Sequence, residues 1–283
     1  MTSRPGPVVV TGANSGFGLA SVLRFAQRGW PTWGTVRSRA KANVLRDAAR
    51  AAGVAELVHP LVLDVSDHDA VVARWKRLPD FYAVVNNAGF SALGAVEEVT
   101  AAEAKAQLDV NLVAPAVVSA CALPAMRARG AGRIVMVSSI AGRAAVLPLN
   151  AWYHASKFGL EALSDVLRME VAQFGVKVVV VEPGFFKTEI EHKAREAATE
   201  REAVEASPYR SAYHRMQQTA GLISSMAPPP DQVARTIVSA VESPRPRTRY
   251  LVGIDALAIA AANPLLPRAI TDQVLRLVAD LRG

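Results

Sequence analysis

The run Val8-Val9-Val10-Thr11-Gly12-Ala13-Asn14-Ser15-Gly16-Phe17-Gly18 decides the fold. Three β-branched residues in a row, bounded by Pro7 and Gly12, read as a short buried strand. After Gly16 the apolar positions Leu19, Val22, Leu23, Phe25 and Ala26 take helical spacing, and Gly29 ends the run. Gly12, Gly16 and Gly18 lie in the turn and at the helix start. Such a turn lets backbone approach a pyrophosphate, while the helix N-terminus offers unpaired N–H groups and a positive dipole end. Three glycines alone also fit a flexible turn before a helix, so the rest of the chain has to decide.

Outward from that stretch, strand and helix alternate. Strands are expected over 32–36, within 57–65, and over 82–85, 133–137, 176–181 and 250–252. Helices are expected over 41–52, 71–78, 101–129 and 155–174. The 101–129 helix carries Pro115, where a kink or a tolerated defect is expected. The valine run over 176–181 suits a parallel strand buried on both faces. Alternation of this kind predicts an α/β fold built on a doubly wound parallel sheet, with right-handed crossovers placing helices on both faces. The stretch 187–230 breaks the rhythm: it is charged and Ala-rich, then ends in Pro228-Pro229-Pro230. It reads as a mobile helical lid over a site. Asp231 is expected to cap a helix running to about Val241, and a terminal amphipathic helix is expected over 263–281.

Composition narrows the function classes. The chain has 283 residues, of which 51% are hydrophobic and 20% charged, which excludes a disordered chain. A single cysteine, Cys121, excludes an internal disulfide framework and any cysteine zinc cluster. The five histidines show no metal-ligand spacing, and no metal is expected. The net charge is +7, from 25 Arg and 7 Lys against 25 acids. Apart from Arg245, Arg247 and Arg249 among prolines, the arginines are scattered, so no nucleic-acid partner is expected. No apolar run reaches the roughly 18 residues of a membrane span, and residues 1–7 hold no apolar core of signal-peptide length. The expectation is a cytoplasmic protein without a membrane partner. The reading comprises one domain over 1–283, with a lid over 187–230 and a C-terminal segment over 255–283.

Further motifs fall at the expected strand ends. Asn86-Asn87-Ala88-Gly89 ends the fourth strand, and Ser138-Ser139 ends the fifth. Asp64-Val65 closes the third, and Pro183-Gly184-Phe185-Phe186-Lys187-Thr188 follows the sixth. Asn111 lies in the long helix, and Tyr153 and Lys157 open the next. With the spacing Thr-Gly-x-x-x-Gly-x-Gly over 11–18, this set resembles the short-chain dehydrogenase/reductase superfamily. The resemblance runs from Val8 to Thr188, and the stretch from Phe90 to Glu98, the long lid and the apolar C-terminal segment are similar to its hydroxysteroid and retinol dehydrogenase-like branch. It implies a Rossmann fold of about seven strands. It also implies a cofactor site of Gly12, Asn14, Ser15, Gly16, Phe17, Gly18, Asp64, Val65, Asn87, Ala88, Gly89, Tyr153, Lys157, Pro183, Gly184 and Thr188.

The chemistry of the set can be argued from its residue types. Tyr153 and Lys157 are four apart and share a helix face. A free phenol, with a pKa near ~10, exchanges protons poorly at neutral pH, and an adjacent ammonium stabilises the phenolate and lowers that value. Tyr153 can then act as general acid toward a ketone and as base toward an alcohol. Ser138 and Ser139 point to opposite faces, so one of them can hold the substrate oxygen. The resemblance favours Ser139, and implies that Asn111 holds a water linking Lys157 to solvent.

The end of the second strand bears on the choice of nicotinamide. An acid there would bind ribose hydroxyls and select NAD. The sequence has Val36 and then Arg37, whose guanidinium suits a 2′-phosphate, and Ser15 could add a donor. NADP(H) is therefore the expected cofactor. On the substrate side Phe90, Ile140, Leu149, Trp152, Phe185 and Phe186 are expected to line a pocket for a hydrophobic ketone or secondary alcohol, beside Ser139 and Tyr153. A 3-oxoacyl thioester reductase and a non-catalytic NADP(H) sensor stay open as alternatives. The resemblance also implies a homodimer or homotetramer built through the two long helices.

Overall fold

Val8 and Val10 face one side of a sheet and Val9 faces the other. The same alternation continues through the neighbouring strands: Ala83 and Val85 against Val84, then Val135 and Val137 against Ile134 and Met136. Each strand thus feeds two cores, which is why its sequence is apolar throughout. The computed structural model describes residues 6–281. Residues 1–5, part of the stretch read as lacking a signal peptide, lie outside the described residues, as do 282–283.

The strands are β1 (Val8–Val10), β2 (Thr32–Val36), β3 (Val58–Val62), β4 (Ala83–Asn86), β5 (Gly132–Val137), β6 (Val176–Pro183) and β7 (Arg249–Val252). They form one seven-stranded sheet in the order β3-β2-β1-β4-β5-β6-β7, and every pairing is parallel. β3 is an edge strand and holds Pro60, whose missing N–H is tolerated there. On one face lie α1 (Gly16–Gln27), α2 (Arg39–Ala51) and α9 (Asp231–Glu242), which contribute Val22, Phe25, Leu45, Val233 and Ile237. On the other lie α3 (His68–Trp75), α5 (Ala114–Arg129) and α6 (Ala151–Val171), which contribute Val71, Val118, Met126 and Leu160. The strand order reverses between β1 and β4, and the crevice at their carboxyl ends is where ligands collect in such sheets.

Four local expectations are corrected. The 101–129 helix is not one continuous α-helix; it divides into α4 (Ala101–Leu108), a π-helical turn at Asp109–Val113, and α5. Pro115 lies in the first turn of α5 and has no N–H to give the preceding turn, so the helix widens just before it. α6 starts at Ala151, after Asn150, so Tyr153 lies in its first turn. Asp231 does not cap α9, which is preceded by Pro230; its carboxylate instead takes Arg24 of α1 at 2.6 Å, and also Arg235. The C-terminal segment is two helices, α10 (Ile254–Ala262) and α11 (Arg268–Val278), because Pro264 and Pro267 interrupt it.

The stretch 101–129 has the length and hydropathy of a membrane-crossing helix. Its Val118, Ala122 and Met126 are nevertheless buried in the core beneath the sheet. The lid consists of α7 (Glu189–Glu202) and α8 (Arg210–Met226). Its middle is pinned to the loop after β4: Arg201 donates to the carbonyls of Leu93 (2.8 Å) and Glu98 (2.7 Å), and the Tyr213 hydroxyl accepts from the Ala95 N–H at 2.9 Å.

Candidate active site

The loop after β1 is braced against the end of β4. The Thr11 hydroxyl accepts from the N–H groups of Asn87 and Ala88, each at 3.0 Å. The Asn87 carboxamide donates to the carbonyls of Thr11 (2.9 Å) and Gly12 (3.2 Å). Gly12 has φ +68°, and a Cβ at Gly18 would sit 2.1 Å from the Gly12 carbonyl oxygen. Both glycines are therefore required by geometry: one by backbone conformation, the other by close approach. A cleft of about 200 Å³ opens over this loop. Gly12, Asn14, Ser15, Gly16, Phe17, Arg37, Asp64, Val65, Asn87, Ala88, Gly89, Tyr153, Lys157 and Thr188 line it. Gly18 lies beneath it in α1, and Pro183 and Gly184 line the adjoining cavity. A cradle of backbone N–H groups with a hydroxyl and basic side chains on its rim fits a dinucleotide.

At the inner end of the cleft, three elements converge. Asn111, buried in the π-helical turn, accepts from the Phe90 N–H at 3.0 Å and donates to the Phe90 carbonyl at 2.9 Å and the Ser156 hydroxyl at 3.1 Å. Lys157 donates from Nζ to the Val137 carbonyl at 2.9 Å, and that Nζ lies 5.7 Å from the Tyr153 ring centre. Ser139, two residues past β5, has extended backbone, and its hydroxyl accepts from the Ala141 N–H at 3.1 Å. Ser138 is buried but also lines the cleft and the adjoining cavity, and Ser139 is the more open of the pair. His154 turns away from Tyr153: Nε2 accepts from the Leu147 N–H and Nδ1 pairs with the Ala141 carbonyl, fixing the 141–147 loop to α6.

Burial governs the electrostatics. It pushes the Tyr153 phenol above its ordinary value, while the Ser139 hydroxyl pulls it partway back. The Lys157 ammonium is brought down to about 8 by burial, against the opposing pull of Glu161 one turn along α6. Both groups are desolvated, and burial dominates the phenol.

A second cavity, of about 270 Å³, adjoins the cleft. Tyr153, Ser138, Phe17 and Thr188 line both spaces, so Tyr153 stands where they meet. Ser139, Ile140, Phe185 and Phe186 line the cavity as expected from their positions. Phe90, Leu149 and Trp152 do not. Phe90 lines the cleft instead. Leu149 takes a left-handed backbone, φ 60°, while its carbonyl accepts from the Gly94 N–H. Its side chain packs with Leu93, Ala95 and Tyr213.

The cavity also has walls that the motifs did not reveal. Leu147, Ile190 and Met216 close one side, and Leu275 and Val278 of α11, with Ala279 just after it, line another. The periodic apolar residues of 263–281 were the available signal, but nothing in them says what they cover. Asp255 belongs to none of the motifs. Its carboxylate accepts from the Phe185 N–H at 2.6 Å, and a Cβ at Gly184 would fall 2.1 Å from that carboxylate. Asp255 therefore holds the turn after β6 against α10.

Comparison with known proteins agrees with this arrangement. A family model described as short chain dehydrogenase matches residues 7–199. Human retinol dehydrogenase 5 is 32% identical over 287 residues, covering 95% of this chain and 87% of that protein. The crystal structure of a short-chain dehydrogenase from Streptomyces avermitilis is 28% identical, with a TM-score of 0.77 and 98% of each chain covered. A metagenomic short-chain oxidoreductase, solved in complex with NADP, is 26% identical, with a TM-score of 0.67, covering 88% of this chain and 97% of that one. The chain belongs to the short-chain dehydrogenases.

Proposed function

We propose that the protein is an NADP(H)-dependent oxidoreductase acting on a hydrophobic ketone or secondary alcohol. The observation that carries this reading is the position of Tyr153, on the shared wall of the phosphate-loop cleft and the apolar cavity. Arg37 and Lys41 at the cleft rim favour a phosphorylated ribose, and the NADP bound to the metagenomic relative supports the same choice. The cavity presents Ile140, Phe185, Phe186 and Met216, and the name of the human relative is consistent with a hydrophobic alcohol.

When bound, the nicotinamide supplies or accepts the hydride. The protein supplies the proton. Tyr153 gives its phenolic proton to the carbonyl oxygen during reduction and takes it back from the hydroxyl during oxidation. Ser139 holds that oxygen beside Tyr153. Lys157, pinned to the Val137 carbonyl, keeps positive charge near the phenolate. Asn111 holds the Phe90 backbone and with it the floor of the cleft. Apolar walls exclude water from the reacting oxygen. A cytoplasmic location and a homodimer or homotetramer belong to the same reading. Val113, Phe158, Val166 and Met169, exposed on the 101–129 and α6 stretches, would be covered by a second copy.

The test is NADPH consumption across a panel of steroid-like, aromatic and acyl-thioester ketones. Turnover on the first two classes, lost in Tyr153→Phe with cofactor binding intact, is the expected result. Full activity in that variant would overturn the mechanism, and NADPH binding without turnover on any ketone would favour a sensor.

A further inference from the structure

The first residue of the lid helix reaches into the phosphate loop. Glu189 accepts from the Ser15 hydroxyl at 2.5 Å and from the Asn14 carboxamide at 3.5 Å. Its other oxygen lies 3.1 Å from Lys193, one turn along α7. Arg37 and Lys41 line the same cleft. An acid and three cations therefore share one cleft with the Ser15 hydroxyl, over a loop built to receive phosphate. Ser15 and Lys193 hold the Glu189 carboxyl below its ordinary value, so it is anionic at neutral pH.

A carboxylate and a phosphate cannot share these partners, because like charges at contact distance repel. A phosphate arriving at Ser15 must displace Glu189, and displacement frees Lys193 from its ion pair. We propose that Glu189 is a tethered stand-in for the cofactor's 2′-phosphate, and that Lys193 and Lys41 join Arg37 as cofactor-selecting residues once the phosphate takes its place. A ligand with a plain 2′-hydroxyl lacks the charge to displace the acid or to recruit the lysines. Selection thus rests partly on the lid, and it couples the first turn of α7 to the cofactor. The inference rests on the NADP(H) reading above.

The experiment is calorimetric titration of adenosine 2′,5′-bisphosphate and of 5′-AMP. Glu189→Gln should tighten the bisphosphate by about three- to fivefold, the scale of a partly exposed ion pair, and leave 5′-AMP within about twofold. Adding Lys193→Ala to that variant should give back about the same factor for the bisphosphate alone. Unchanged melting temperatures would confirm that the variants fold. A Glu189→Gln variant that binds the bisphosphate no better, or that alters both ligands alike, overturns the proposal while leaving the NADP(H) reading in place. Equal wild-type affinity for the two probes overturns that reading and the proposal with it.

Discussion

Asn111 grips both backbone polar groups of Phe90, its carboxamide oxygen taking the N–H at 3.0 Å and its nitrogen reaching the carbonyl at 2.9 Å. The clamp ties the π-helical turn to the segment after β4. Asn111→Leu leaves two partly buried backbone groups without their partner, and a loss of about 1–2 kcal/mol in chemical denaturation is expected. Turnover should fall together with NADPH affinity, since Phe90 lines the cleft. A Leu variant as stable as the wild type would show that the clamp contributes nothing.

Lys157 gives a prediction about pH. Its folded value lies near 8, below the ordinary 10.5. Between those values the unfolded chain holds the extra proton, so stability rises with pH relative to a chain without the group. Lys157→Met removes this dependence. The wild type should therefore gain on the Met variant by at most about 1.4 kcal/mol per pH unit between roughly pH 8 and pH 10. Urea denaturation of both proteins at several pH values reads the difference directly. Parallel stability curves would mean that Lys157 is not the titrating group.

Much of this was legible in the sequence because strand ends carry their own punctuation. The valine run of β1, the glycines after it and the Asn86–Gly89 segment announced the cleft, and all depend on local spacing. Phe90 and Leu149 were misplaced for a different reason. Both follow strand or loop ends with apolar side chains, but their directions depend on the Asn111 clamp and on the left-handed backbone at Leu149. Long-range partners were also invisible. Asp255 meets Phe185 across 70 residues, and Glu189 meets Ser15 across 174. No periodicity encodes such pairs, because they exist only after the sheet has brought the loops together.

Arg37 stands exposed on the cleft rim at the end of β2. Its fork suits a phosphate and offers little to a ribose hydroxyl. Arg37→Asp should weaken NADPH by about tenfold or more, since the charge reverses, and should leave NADH binding level or improved. Fluorescence titration of both dinucleotides checks it. Retained preference for NADPH would move the selection to Ser15, Lys41 and the lid.

α11 is the part of the substrate wall furthest from any motif. None of its residues is fully buried, so the sheet does not depend on it. Leu275 and Ala279 nonetheless line the cavity with Val278 at its open edge, while Ile270, Val274 and Leu277 are, like Val278, exposed. A helix held so lightly can close the cavity over a large apolar substrate and add little to folding. Shortening Leu275 removes part of that wall, and a partly buried leucine side chain contributes about 1–2 kcal/mol to a ligand it covers. Leu275→Ala should then lower kcat/KM for ketones long enough to fill the cavity by about five- to thirtyfold, a loss carried by KM. A ketone of three or four carbons, seated beside Tyr153 and Ser139, should be turned over as before. Equal losses on short and long substrates would place the effect in the fold of the site and remove α11 from substrate selection.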